Sequence, residues 1–353
     1  MFAALLALFV LIEPQVLDPV ATARALRQDD ARIGALRALG RVPAADHGRF
    51  TESEVPTTLT DLAGDPKLSF ADRVGAIRLL AHLRVHRAST LLAQLAASVT
   101  TTEETALARE AARALVRLGR GALLLPALSS PDPELRALSI ESPTTAEPVC
   151  AAIADAWPLV RKAAARSLGR FEGQSCVEAA LTRAMGDPDS GVLGAAIIAA
   201  GQARVASLEG PLRALVADPA RPMPHREDAL VSLSQLGEFE TARRCLTTHL
   251  EKGGVASLAA AAVSALGLSD EPADLLRLRR ALLSEAVGVQ MRAAALLAER
   301  RDEASLPALK ELHARSGARE RESIAELISR LEVRSLPEDG APIPSDDPAQ
   351  DDD

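Results

Sequence analysis

The sequence predicts an all-α chain, an α-solenoid of about nine or ten stacked antiparallel helix pairs, and three observations carry that prediction. Apolar residues make up 48% of the 353 residues but aromatics only 2%, with no Tyr and a single Trp157. The apolar content is therefore Ala, Leu and Val, and Ala and Leu favour helices because they lose little side-chain entropy there. A chain of this length is too long for one compact core, so two domains or an elongated array is expected. Finally, helix-ending phrases recur as "LRALGRV", "LVRLGRG", "ARSLGRF", "IAAGQAR", "LSQLGEF", "VSALGLS" and "LLAERRD". From Gly169 to Gly201 is 32 residues, to Gly237 another 36, and to Gly267 another 30, a period that marks an internal repeat.

In chain order, residues 1–16 come first. Eleven apolar residues, Phe2 to Ile12, are ended by Glu13 and Pro14. That run has the length of a secretory signal and is short for a membrane span, so no stable span is expected. No Lys or Arg precedes it, and the A-x-A site Ala21-Thr22-Ala23 lies inside the first expected helix, which leaves an uncleaved apolar cap helix as the alternative. A cleaved signal would place the protein in the cell envelope (periplasm) or outside the cell; without one it would be cytoplasmic.

Residues 17–335 hold the repeats. Each period reads as an apolar helix, a short Asp/Pro/Ser turn, an Ala-rich helix and then Leu-Gly or a substitute. The Gly is expected to close the helix in the left-handed region, which only Gly enters without steric cost. In "VRKAAARSLG" Val160, Ala164 and Leu168 recur at i, i+4 and i+8 with Ala163 and Ser167 beside them. Such a face is buried only by stacking on its neighbours. The links 42–57 and 98–104 are long, and Pro143 breaks the second helix after Gly121. Curvature should change there, and a binding surface is expected there first. Residues 336–353, "LPEDGAPIPSDDPAQDDD", hold seven acidic residues and no basic ones, and are expected to be a disordered acidic tail. Subtracting that −7 from the chain's −8 leaves the rest near −1.

The stretches "GVQMRAAALLAERRDEASLPAL" (288–309), "LVRKAAARSLGRFEGQSCVEAAL" and "DDARIGALRALG" resemble HEAT repeats, in the short form of phycobilisome-lyase-like repeats. The resemblance covers roughly residues 17 to 333, implies the fold and says little about function. It implies an Arg early in each second helix, with an Asp six residues before it in the turn, so that neighbouring repeats bond to one another. Arg32, Arg73, Arg136, Arg161 and Arg226 match, and Leu193 and Gln290 replace the Arg in two units. Asp155 stands six before Arg161, and Asp187 six before Leu193. A structural ladder is the favoured reading over an anion site, because a forked guanidinium satisfies several turn carbonyls and carboxylates at once.

"GDPDSGVLG" (186–194) invites a ligand-loop reading and fails it. Counted as a calcium loop from Asp187, it has Val192 where Gly belongs and Ile198 where a bidentate Glu is required. As a phosphate loop it has Val192 and Leu193 in place of Lys and Ser/Thr. It reads instead as a repeat turn, with Asp189 or Ser190 capping the second helix. The absent Arg at Leu193 is expected to mark a local change in stacking.

No catalytic, cofactor-binding or metal-binding residue is assigned. HEAT-like deoxyhypusine hydroxylase relies on His-Glu dipeptides, and none occurs at His47, His82, His86, His225, His249 or His313. His82 and His86 stand at i, i+4, but Arg84 and Arg87 crowd them with positive charge, so surface histidines at a helix end are the favoured reading. Near-neutral charge gives little attraction for nucleic acid, and none is expected as a partner. Trp157 is expected to plug the junction of two repeats. Cys150, Cys176 and Cys245 lack C-x-x-C spacing. Burial as small apolar side chains is the favoured reading, with a Cys150–Cys176 bridge across 26 residues the alternative. The expected function is a non-catalytic protein–protein interaction scaffold or adaptor, gripping a protein or peptide on a concave surface lined by second helices. The rival is a HEAT-like lyase or enzyme subunit acting on a chromophore or modified side chain; nucleic-acid binding comes third. Converging His, Asp or Glu in a deep pocket would favour the enzyme, and a shallow groove the scaffold.

Overall fold

A computed structural model describes residues 17–99, 101–142 and 145–332, and every regular element among them is helical. The apolar segment 1–16, Pro143 and the acidic tail 336–353 lie outside the described residues. The chain divides between Ala199 and Ala200 into two compact units.

The first unit holds α1 (Pro19–Leu26), α2 (Asp29–Leu39), α3 (His47–Thr51), α4 (Val55–Gly64), α5 (Phe70–His82), α6 (Ser89–Ala97), α7 (Thr102–Arg117), α8 (Pro133–Ile140), α9 (Glu147–Ala152), α10 (Pro158–Leu168) and α11 (Ser175–Met185). A 3₁₀ stretch, Gly121–Ser129, stands in for the first helix of the pair completed by α8; Pro126 lies inside it and removes a donor that an α-helix would need. The division falls inside α12 (Ser190–Gln202). The second unit continues with α13 (Glu209–Ala217), α14 (Met223–Gln235), α15 (Glu240–Lys252), α16 (Ala256–Leu266), α17 (Pro272–Ala281), α18 (Val287–Glu299), α19 (Leu306–Arg315) and α20 (Ala318–Glu332).

Within each unit the helices pack as two rows. Second helices touch successively, α2 on α5, α5 on α7, α7 on α8 and α8 on α10 in the first unit; α14 on α16, α16 on α18 and α18 on α20 in the second. First helices form the other row, with α1 on α4, α4 on α6, α9 on α11 and α15 on α17. The seams are made of small residues: Ala108, Ala111 and Ala112 of α7, and Ala259 and Ala262 of α16, are all fully buried. This is the α-solenoid arrangement, in which each pair buries its apolar face on the next.

Turn chemistry sets where helices begin. Thr101 and Glu104 form a reciprocal capping box at α7, Ser69 caps α5, and Asp132 accepts from the Leu135 N–H at α8. Asp189 caps α12, its Oδ1 accepting from the N–H of Gly191 and Val192 at 2.9 and 3.0 Å.

Helix ends use Gly in some repeats and a substitute in others. The left-handed residue is Gly119 or Gly237 in two units but Arg84, Arg204 or Arg301 in three others. The N–H of the residue after each of them bonds back to a carbonyl five residues earlier: Val85 to Leu80, Arg120 to Leu115, Val205 to Ala200, Glu238 to Leu233 and Asp302 to Leu297, at 2.8 to 3.0 Å. That bond satisfies an otherwise orphan helix-end carbonyl and offsets the cost of left-handed backbone in an Arg. Gly40, Gly169 and Gly267 stay right-handed. At Gly201 and Gly267 the requirement is closeness: a Cβ on Gly201 would sit 2.7 Å from Ser232 Cα, and one on Gly267 2.9 Å from both Leu296 methyls.

Candidate functional site

Three arrangements hold the residues with chemical potential: the arginine rows, the histidine and cysteine pairs, and a groove in the second unit. The first row follows from helix register. Arg32, Arg73, Arg136, Arg161 and Arg226 are each the fourth residue of a second helix. That places each guanidinium over the turn before its helix. Arg32 Nε donates to the Leu26 carbonyl at 3.0 Å, Arg136 Nη1 to that of Ser130 at 2.8 Å, and Arg161 Nη1 to that of Asp155 at 3.1 Å, each six residues back. Gln290, which replaces Arg, donates through Nε2 to the Ser284 carbonyl, also six back. Arg73 and Arg226 reach further, to the carbonyls of Ala63 (3.2 Å) and Val216 (3.0 Å). Arg321 of α20 is a fourth-position Arg that the sequence pattern did not flag, and it donates to Ser316 O at 2.9 Å.

Asp155 and Arg161 therefore meet through the Asp155 main chain, and the carboxylate looks elsewhere. Arg136 grips it with two bonds of 2.8 and 2.9 Å, and Arg161 grips Asp187 with two of 2.7 and 2.9 Å. Each Arg thus joins its own turn to the turn of the following pair. The Arg136 hydrogen bonds hold the Asp155 carboxyl below the usual carboxylate range, partly opposed by burial and aided by the Trp157 N–H. Asp187 is lowered in the same way by Arg161. Equivalent bidentate pairs join Arg109 to Asp132, Arg243 to Asp274 and Arg279 to Asp302. Sequence reasoning missed these three, because Arg109 lies one turn deeper in its helix and Arg243 and Arg279 stand on first helices. Leu193, where the Arg is absent, is buried apolar surface at 6% exposure.

His82 and His86 do not face each other on one helix: α5 ends at His82 and Arg84 turns left-handed before His86. Both histidines are exposed, and His82 Nε2 and His47 Nε2 lie 3.1 and 3.3 Å from the Val42 carbonyl. Among the described residues no group of three or more His, Cys, Asp or Glu is arranged to hold a metal. No helix among them is long and apolar enough to cross a membrane.

Two expectations are corrected. Cys150 of α9 and Cys176 of α11 form a disulfide with Cα atoms 6.1 Å apart, instead of lying buried as free thiols. One repeat of separation brings successive first helices side by side, and that is within bridging distance. Trp157 plugs no junction; it is 55% exposed at the start of α10, with Leu159 beside it at 50%. The Trp157 N–H donates to Asp155 Oδ1 at 2.9 Å.

The groove, of about 480 Å³, opens among α13, α14, α15 and α16. Val216, Ala217, Val255 and Leu258 give it apolar walls, and Arg213, Arg226, Arg244, Thr241 and Cys245 supply its polar groups. No His, Asp or Glu lines it. Burial pushes the Cys245 thiol up, and the charges of Arg244 and Arg226 pull the other way. The thiol is therefore a poor nucleophile at neutral pH.

No protein-family model matches the chain, and no curated protein is significantly similar to it. Among solved structures, an engineered protein is 18% identical over 90% of this chain and 99% of its own, with a TM-score of 0.43. Human deoxyhypusine hydroxylase in complex with glycerol is 22% identical over 82% and 99%, with a TM-score of 0.30. Importin beta is 13% identical over 92% of this chain and 56% of its own, with a TM-score of 0.41. At these TM-scores none of the three bears on fold or function, and the fold rests on the chain's own helices.

Proposed function

We propose that the protein is a non-catalytic interaction scaffold that holds a protein or peptide partner. The observation that supports this most is the exposed Trp157–Leu159 pair at the head of α10. Trp is among the residue types enriched in the few side chains that dominate interface energies. The support beneath it is stiff: Asp155, bonded to the Trp157 N–H, is itself clamped by Arg136. Little ordering is then needed on association, which favours affinity.

We further propose an oxidising compartment, the cell envelope or the exterior. The Cys150–Cys176 bridge supports it, since disulfides persist there and are rare in reducing cytosol. The test uses capture from native extract by the wild-type chain and by Trp157→Ala, followed by crosslinking. A specific partner retained by the wild type should fall at least about ten-fold for the variant, the effect of one interface hot spot, with the melting temperature unchanged. Equal retention by both proteins would refute the surface.

A further inference from the structure

We infer that the groove among α13, α14, α15 and α16 is a binding site for a small organic anion: an aliphatic chain ending in a carboxylate or phosphate. This goes beyond the partner surface on α10, which lies in the other unit. Two of the three arginines around the groove carry charge without a counter-ion among the described residues. Arg213 is occupied, paired with Glu209 and 3.9 Å from Glu238. Arg226 spends its Nε on the Val216 carbonyl, and its two terminal nitrogens have no partner among the described residues. Arg244 is exposed and makes no hydrogen bond or ion pair among the described residues. Two guanidinium ends thus face one groove whose lining contains no carboxylate.

A second observation is independent of charge. Thr241 lines the same groove at 2% exposure, and its hydroxyl is buried with no hydrogen-bond partner. An unmet buried hydroxyl is costly, and so is the buried, unmet Oε2 of Glu238, whose Oε1 accepts the Thr241 N–H at 3.2 Å. The remaining walls, Val216, Val255 and Leu258, offer nothing to a bare inorganic ion and much to a hydrocarbon chain. A volume of about 480 Å³ lies within the range of small-ligand sites. Together these features describe a ligand with a charged head at Arg226, Arg244 and Thr241, and an aliphatic body along the apolar wall.

The full chain is titrated calorimetrically with octanoate, octyl phosphate, 1-octanol and acetate. At least one octyl anion should bind one per chain and at least about ten-fold more tightly than 1-octanol or acetate, the margin a charge-assisted bond provides. The tighter of the two heads identifies the source of the anion. Arg244→Gln, which breaks no contact in the free protein, should weaken that anion about ten-fold and leave 1-octanol unaffected. Thr241→Val should weaken it while leaving the melting temperature unchanged or raised. The bound anion should also slow alkylation of Cys245, the one free thiol. If 1-octanol binds as tightly as both anions, or Arg244→Gln binds like the wild type, the site does not exist.

Discussion

Individual side chains in this protein act through the main chain as much as through one another. The fourth-position arginines hold turn carbonyls six residues back, and the same guanidinium of Arg136 or Arg161 then reaches a carboxylate in the next pair. The Arg row was legible because helix register is legible: a residue four places into a helix must overlie the preceding turn. The true carboxylate partners were not, because spacing along the chain says nothing about which turn stacks above. The depressed Asp155 carboxyl has a consequence for pH. A group whose pKa is lowered on folding stabilises the fold above its unfolded value, near pH 4, and that contribution is lost as pH falls through the lower folded value. Asp155→Asn should therefore be less stable than wild type at pH 6 by about 2 kcal/mol, and the gap should close towards pH 2.5. Urea midpoints across that range decide it; a gap that does not change with pH contradicts the pairing. Gly201→Ala should destabilise by about 2 kcal/mol, because the new methyl meets the Ser232 backbone at 2.7 Å. An unchanged thermal midpoint would show that α14 gives way.

Helices in this chain begin where the sequence says they should and end by a rule that it hides. Asp, Ser and Thr caps and first-turn prolines mark the starts at α5, α7, α8 and α17, and each carries its own reason in a single residue type. The ends use a backbone geometry that Gly enters freely and Arg enters when a carbonyl five residues back rewards it; "IAAGQAR" and "LLAERRD" marked where two such helices end, but not that Arg204 and Arg301 would take the left-handed position, and Arg84 gave no signal. The groove was hidden for another reason: Arg226, Thr241, Arg244 and Leu258 come from three helices, and no short window of sequence contains them all. Between elements, the α9–α11 bridge closes a loop of 26 residues. Chain-entropy arguments give such a loop about 3.5 kcal/mol. Reduction with a phosphine, or the double change Cys150→Ser and Cys176→Ser, should lower the stability of the first unit by that amount. Identical denaturant midpoints with and without reductant would show the loop gains nothing from closure.

For the whole molecule the charge is unevenly placed. Residues 336–353 carry seven of the acidic groups behind a net −8, so the remainder is close to neutral. Removing them should raise the isoelectric point from about 5.4 and bring the solubility minimum nearer to neutral pH. Turbidity from pH 5 to pH 8 measures this, and an unshifted minimum would mean that the tail does not govern solubility. The bridge between α9 and α11 also has a meaning outside stability. A protease that cuts after the exposed Glu172 opens the chain inside the closed loop, and the two pieces stay fastened by sulfur. On a gel without reductant the nicked protein would migrate as a single species, and with reductant as two, so damage at that turn would go unseen unless the bond were broken first.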